Sequence, residues 1–149
     1  MSGPGVALKG SWTAKSIATV PDYMSTKDYR ASASLTIRGA RAIAIHGLLN
    51  FGHWLYGVEL DGVPMLPPAA EAFNSSTYWL ISDSILFFAN GLETGIDHTI
   101  TITNLADDPT WSSFTLTSFE VWHVAGSDPQ LRSVVARYRC YDMAEPALL

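Results

Sequence analysis

Four histidines, His46, His53, His98 and His123, are the side chains that would titrate near neutral pH, and no two of them have zinc-ligand spacing. The single cysteine, Cys140, excludes an intrachain disulfide and a cysteine-rich zinc site. It reads most simply as a small packed residue, with an intermolecular bridge as the alternative. Asp107 and Asp108 are adjacent carboxylates in a polar stretch. They are the candidate calcium ligands, because calcium takes several oxygens; a solvated acidic pair is the simpler reading. No nucleophile elbow, phosphate-cradling glycine loop or metalloprotease helix is present. Gly91 and Gly95 bracket a turn that enters a strand without basic residues, which does not suit a phosphate. A Ser/His/Asp set assembled from distant residues stays open. Glu59 and Glu120 both fall on expected strands, with nothing to show that they converge.

Aromatic plates with a few polar groups beside them suit a ligand that has C–H faces and hydroxyls, and such residues fall in three loops. The loop residues that fit are Asn50, Phe51, His53 and Trp54, then Asp22, Tyr23 and Tyr29, then Asp107, Asp108 and Trp111. Of these, Trp111, Trp54, Tyr23, Asn50, His53 and Asp107 are the expected contacts. Each aromatic has a structural alternative. Trp54 also begins an inward row with Tyr56, Val58 and Leu60, and Tyr23 and Tyr29 also suit a lid over the core. Trp111 sits among Thr110, Ser112 and Ser113 and is the aromatic most suited to exposure. Trp79 and Phe87 are assigned to the core, and His46 and His98 to hydrogen-bonded positions on strands.

Such contacts must be held by a scaffold, and the composition says which kind. The chain has 149 residues, enough for one domain, and is 48% hydrophobic and 15% charged, which excludes disorder. It holds 15 Ser and 12 Thr against 3 Lys and 5 Glu, and 29 Val, Ile and Thr together. Exposed-helix formers are scarce and residues suited to a pleated surface are plentiful, so the chain is all-β. Residues 1–10 read as a lead-in and 18–30 as a loop. Ala33 to Arg38, Arg41 to Leu48 and Trp54 to Leu60 alternate as strands. Asp61-Gly62 is a hairpin turn signal. Pro64, Pro67 and Pro68 make residues 63–77 irregular, with one short helical turn over Ala69 to Phe73. Tyr78 to Ile81 and Ser84 to Ala89 are two short strands or one bent strand. His98, Ile100 and Ile102 face in, opposite Thr99, Thr101 and Thr103. Phe114 and Leu116 face in, and so do Phe119 and Val121; the change of parity predicts a β-bulge near Thr117-Ser118. Residues 129–141 fit a helix and an added strand equally. At least seven short strands without a βαβ rhythm describe an antiparallel β-sandwich or jelly roll of about eight strands, spanning 1–126, with a C-terminal extension at 127–149.

Five stretches in order resemble the galactose-binding-like β-sandwich in the form seen in fungal cell-surface ectodomains. They are Gly10-Ser-Trp12, Ala33 to Gly47, Tyr56 to Gly62, Gly91 to Asn104, and Phe114 to Val121. The resemblance covers about residues 10–124 and its matched residues are scaffold positions, His98 among them. It implies a jelly roll, an extracellular or cell-surface setting, and sugar binding through end loops without catalysis. The long 63–77 segment and the 125–149 tail depart from the pattern.

The net charge of −5 and pI near 5.1 argue against nucleic acid, whose phosphates need a basic field. Arg132, Arg137 and Arg139 are the local exception and read as a solvated face. No apolar run approaches the ~20 residues of a membrane helix. No basic start and apolar core form a signal peptide, so a cytosolic protein or an excised extracellular domain both fit; the Asn74-Ser75-Ser76 sequon suits secretion. The expected function is therefore a non-catalytic glycan-binding module. The alternatives are an interaction domain that homodimerises through 127–149, and an enzyme with a pocket built from 63–77.

Overall fold

The computed structural model describes residues 5–18, 20–49, 53, 55–65, 70–71, 81–108, 112–123 and 134–140. These hold twelve strands and no helix. In chain order the strands are β1 (Ala7–Lys9), β2 (Thr13–Ile17), β3 (Val20–Thr26), β4 (Ser32–Arg38), β5 (Ala40–Leu49), β6 (Leu55–Leu60), β7 (Val63–Pro64), β8 (Ala70–Glu71), β9 (Ile81–Asn90), β10 (Asp97–Asn104), β11 (Phe114–His123) and β12 (Val134–Arg139). They form two antiparallel sheets. The first has the order β1-β4-β10-β6-β7, with β8 also on β6; the second has the order β2-β3-β11-β5-β9, with β12 also on β11. The runs β4-β5-β6 and β9-β10-β11 step between the sheets at each turn, as a jelly roll does.

Alternation explains the core. On β10, His98, Ile100, Ile102 and Asn104 are buried while Thr99, Thr101 and Thr103 are only half-buried. The inward rows Leu35/Ile37, Ile43/Ile45, Tyr56/Val58 and Leu116/Phe119 meet them between the sheets. Each large apolar side chain buried this way contributes roughly 1.5–3 kcal/mol. Hydroxyls serve the outside of the first sheet, where the Oγ1 atoms of Thr36 and Thr99 lie 2.7 Å apart.

The bulge on β11 is present where the parity change places it. The ladder steps from Leu116↔Gly47 to Ser118↔His46, leaving Thr117 as the extra residue, so Leu116 and Phe119 both point inward. Asp61 (φ 52°) and Gly62 (φ 79°) make the β6–β7 hairpin turn, whose backbone twist demands the left-handed region. Of residues 129–141, those described form a strand: β12 lies antiparallel to β11 from Ser118↔Arg139 to His123↔Val134. Cys140 follows it as a free, fully buried core residue.

Three expectations are corrected. The segment 18–30 is not all loop, because Val20–Thr26 is β3 and buries Tyr23, Met24 and Thr26. Its Pro21 lies outside the stretch that pairs with β11 (Met24 to Thr26), so the missing N–H breaks no bond of that ladder. The lead-in holds β1, paired with β4 from Ala7↔Ser34 to Lys9↔Ser32. Ala70–Glu71 is extended and pairs with β6, rather than forming a helical turn.

Candidate functional site

The end loops expected to bind sugar converge through a buried amide. Asn104 is fully buried, and its Nδ2 donates to the carbonyl oxygens of Asp28 and Ser112, each at 3.0 Å. Its Oδ1 accepts from the Ala106 N–H at 3.1 Å. This ties the segment after β3 to the loop before β11, and an isolated bridge between His53 and Ser113 adds the segment before β6.

The expected contacts divide into three groups. Asn50, Trp54 and Trp111 lie outside the described residues. Tyr23 and His53 are buried, at 7% and 6% exposure, so neither presents a face to a ligand here. His53 Nε2 instead meets Thr115 Oγ1 at 2.6 Å. Burial and, secondarily, the charge of Lys15 lower its pKa to about 4, so the ring is neutral. Asp107 and Asp108 are exposed. No group of three His, Cys, Asp or Glu placed to hold a metal ion occurs among the described residues. Among them, too, no helix is long and apolar enough to cross a membrane.

A better-formed site lies on the outer face of the second sheet. Alternation on β11 that turns Phe119 and Val121 inward turns Glu120 and Trp122 outward. On the other side of β5, Phe88 of β9 is 50% exposed. Between them β5 contributes only alanines: Ala42 pairs with Trp122 and Asn90, and Ala44 pairs with Glu120 and Phe88. Small side chains in the middle and aromatic ones at the sides make an open groove of about 610 Å³, lined by Arg41, Ala42, Phe88, Asn90, Gly91 and Trp122. The Phe88 and Trp122 rings meet edge to face, with centroids 5.8 Å apart and planes at 85°. That geometry suits the aromatic quadrupoles and holds both rings in place.

Arg41 reaches the groove because of a second bulge. The β11–β5 ladder steps from Trp122↔Ala42 to His123↔Ala40, so Arg41 has no cross-strand partner on β11. Ala40 and Ile43 both remain in the core, and the extra residue is turned out to solvent.

Beside the groove sits a charged cluster. His46 is buried next to Ser118, its cross-strand partner. Its Nδ1 lies 3.2 Å from Asp83 Oδ1 and its Nε2 3.6 Å from Glu120 Oε2. Arg137 Nη2 donates to Glu120 Oε2 at 2.6 Å, and its Nη1 lies 3.7 Å from Asp83 Oδ2. Arg137 thus lies against both carboxylates, while the buried His46 nitrogens sit at these distances from them without a hydrogen bond. Asp83 holds a left-handed backbone (φ 53°) inside β9, a strained conformation for a residue with a side chain. Glu59, on β6 of the first sheet, does not join Glu120.

His98 is structural. Its Nδ1 donates to Asp61 Oδ2 at 2.7 Å and its Nε2 donates to the Glu93 carbonyl oxygen at 2.8 Å. The hydrogen bond to Asp61 raises its pKa above the ordinary value, against the opposing effect of burial.

Of the groove residues, Trp122 was within reach of the sequence, since the inward pair Phe119/Val121 implies it. Phe88 and Arg41 were not, because each depends on a bulge: the β5–β9 ladder skips Leu86 between Ile45↔Phe87 and His46↔Ile85.

No family profile and no curated protein matches the chain. Among solved structures, part of a Paenibacillus xanthan lyase is similar to it, with a TM-score of 0.51 and 8% sequence identity, over 85% of this chain and 14% of that one. That likeness is one of fold, an antiparallel β-sandwich.

Proposed function

We propose that this protein is a non-catalytic carbohydrate-binding β-sandwich of the galactose-binding-like kind, working in an extracellular setting, with the glycan seated in the outer-face groove. The observation that carries the reading is the Phe88–Trp122 pair beside Ala42, with Asn90 and Arg41 lining the same groove. Aromatic faces meet the apolar faces of a sugar ring, and the amide and guanidinium meet its hydroxyls. The likeness to part of a xanthan lyase agrees at the level of fold. Calorimetry against a broad glycan panel tests the proposal. Weak binding that Trp122→Ala reduces about tenfold, roughly 1.4 kcal/mol, is the expected result. A negative panel, with tryptophan fluorescence unmoved by any glycan, overturns it.

A second reading has one observation in its favour. Ile85 and Phe88 on β9 are 61% and 50% exposed, an apolar surface that a second copy of the chain would cover. Sedimentation at rising concentration decides this: a dimer dissociated by Phe88→Asp supports it, and a monomer throughout rejects it.

A further inference from the structure

Arg41 is the cation that lines the groove, and it has no anion. The acidic side chains there, Asp83 and Glu120, are turned to His46 and Arg137. Among the described residues no carboxylate lies within ion-pair distance of Arg41, although the chain carries 14 acidic residues against 9 basic ones. A guanidinium presents a planar fork of N–H donors and no acceptor. Left unpaired beside two aromatic rings, it offers bidentate binding to a planar oxyanion carried by whatever lies on those rings. The β-bulge makes this more than an accident of a flexible surface chain. Without the extra residue, the parity of Ile43 and Ile45 would turn position 41 toward the core. In a protein of net charge −5, an acidic polymer is repelled in general and held only where a cation is locally uncompensated.

Resting on the glycan-binding reading above, we infer that the groove selects sugars bearing a carboxylate, of the uronate type, with Arg41 as the specificity-determining residue. The sugar ring stacks on the free face of one of the two perpendicular aromatic rings, with the other against its edge, and its carboxylate takes the Arg41 fork.

The test compares oligogalacturonate, its carboxyl-reduced neutral counterpart and sulfated dextran, by calorimetry on the full chain and on Arg41→Gln, Arg41→Lys and Trp122→Ala. The wild-type protein should bind the acidic oligomer about tenfold more tightly than the reduced one. Arg41→Gln should bring that ratio close to one, and Arg41→Lys should leave it in between, because an ammonium lacks the fork. Raising NaCl from about 50 mM to about 500 mM should shrink the ratio in the wild type and in Arg41→Lys and leave that of Arg41→Gln unchanged. Equal binding of acidic and reduced oligomers by the wild type overturns the inference. So does an undiminished ratio in Arg41→Gln, and so does sulfated dextran bound as tightly as oligogalacturonate with Lys as good as Arg, which is plain charge attraction. If the protein binds none of these, and Trp122→Ala changes nothing across a wider panel, it is the glycan reading itself that falls.

Discussion

Asp61 and His98 are locked together by a carboxylate that does two jobs. Its Oδ2 accepts from His98 Nδ1 and its Oδ1 accepts from the Thr99 N–H, each at 2.7 Å. The same residue supplies the first left-handed position of the β6–β7 turn. The hairpin is thereby fastened to the middle of the first sheet.

That pairing predicts how stability follows pH. His98 binds its proton more tightly folded than unfolded, chiefly through Asp61, so its contribution is complete below its ordinary value of 6.5 and is lost as pH rises through the raised folded value. For Asp61 burial favours the neutral acid, but the hydrogen bonds from His98 and Thr99 outweigh it and lower the pKa. Its contribution is present above 3.8 and is lost as pH falls through the lowered folded value. Melting temperature should therefore decline from about pH 6.5 upward. His98→Gln should flatten that decline and cost about 1–2 kcal/mol at pH 6. An unchanged slope in the variant would show that another group is responsible.

Gly47 tolerates no side chain. A Cβ there would stand 2.5 Å from Leu86 Cδ1 and 2.5 Å from the Thr115 carbonyl oxygen. The leucine could turn aside, but the carbonyl belongs to β11 and cannot. Gly47→Ala should lower stability to urea by about 1–3 kcal/mol, the usual cost of overpacking. A midpoint equal to wild type would mean that β5 and β11 slide apart there.

Asn104 should be more sensitive to charge than to size. Its Nδ2 serves two carbonyl oxygens, which a carboxylate would repel. Asn104→Ala should cost about 2 kcal/mol in urea unfolding, and Asn104→Asp more at neutral pH. The reverse order would place the main loss in packing.

Cys140 should be silent toward thiol reagents in the native protein and react fully in urea. It is completely buried, and burial pushes its pKa upward, away from the reactive thiolate. Fast native-state modification would show that the end of β12 opens readily.

Much of the framework could be read directly from residues. The alternation from His98 to Thr103, the Asp61-Gly62 turn and the parity change from Leu116 to Phe119 are local signals with one structural solution each. β3 was hidden, because Pro21, Asp22, Ser25 and Thr26 resemble turn formers and become a strand only through pairing with β2 and β11. The groove was hidden for a related reason. Phe88 meets Trp122 across β5 by virtue of a ladder that skips Leu86, and Arg41 emerges through another skipped position. Register between distant strands sets both, and no window of sequence contains it. The polar and aromatic residues that stand out by type are poor guides by comparison: Tyr23 lies on β3, and both it and His53 are buried.

β12 has one more consequence. β3 covers one flank of β11 at Phe114 to Leu116, and β12 covers that same flank from Ser118 to His123. Were the chain to stop before residue 134, the second half of that flank would be a bare row of amides and carbonyls at the centre of the sheet. Such a row is a template for any passing strand. The last described strand is thus a guard against clumping, and shortening the chain should make the protein stickier.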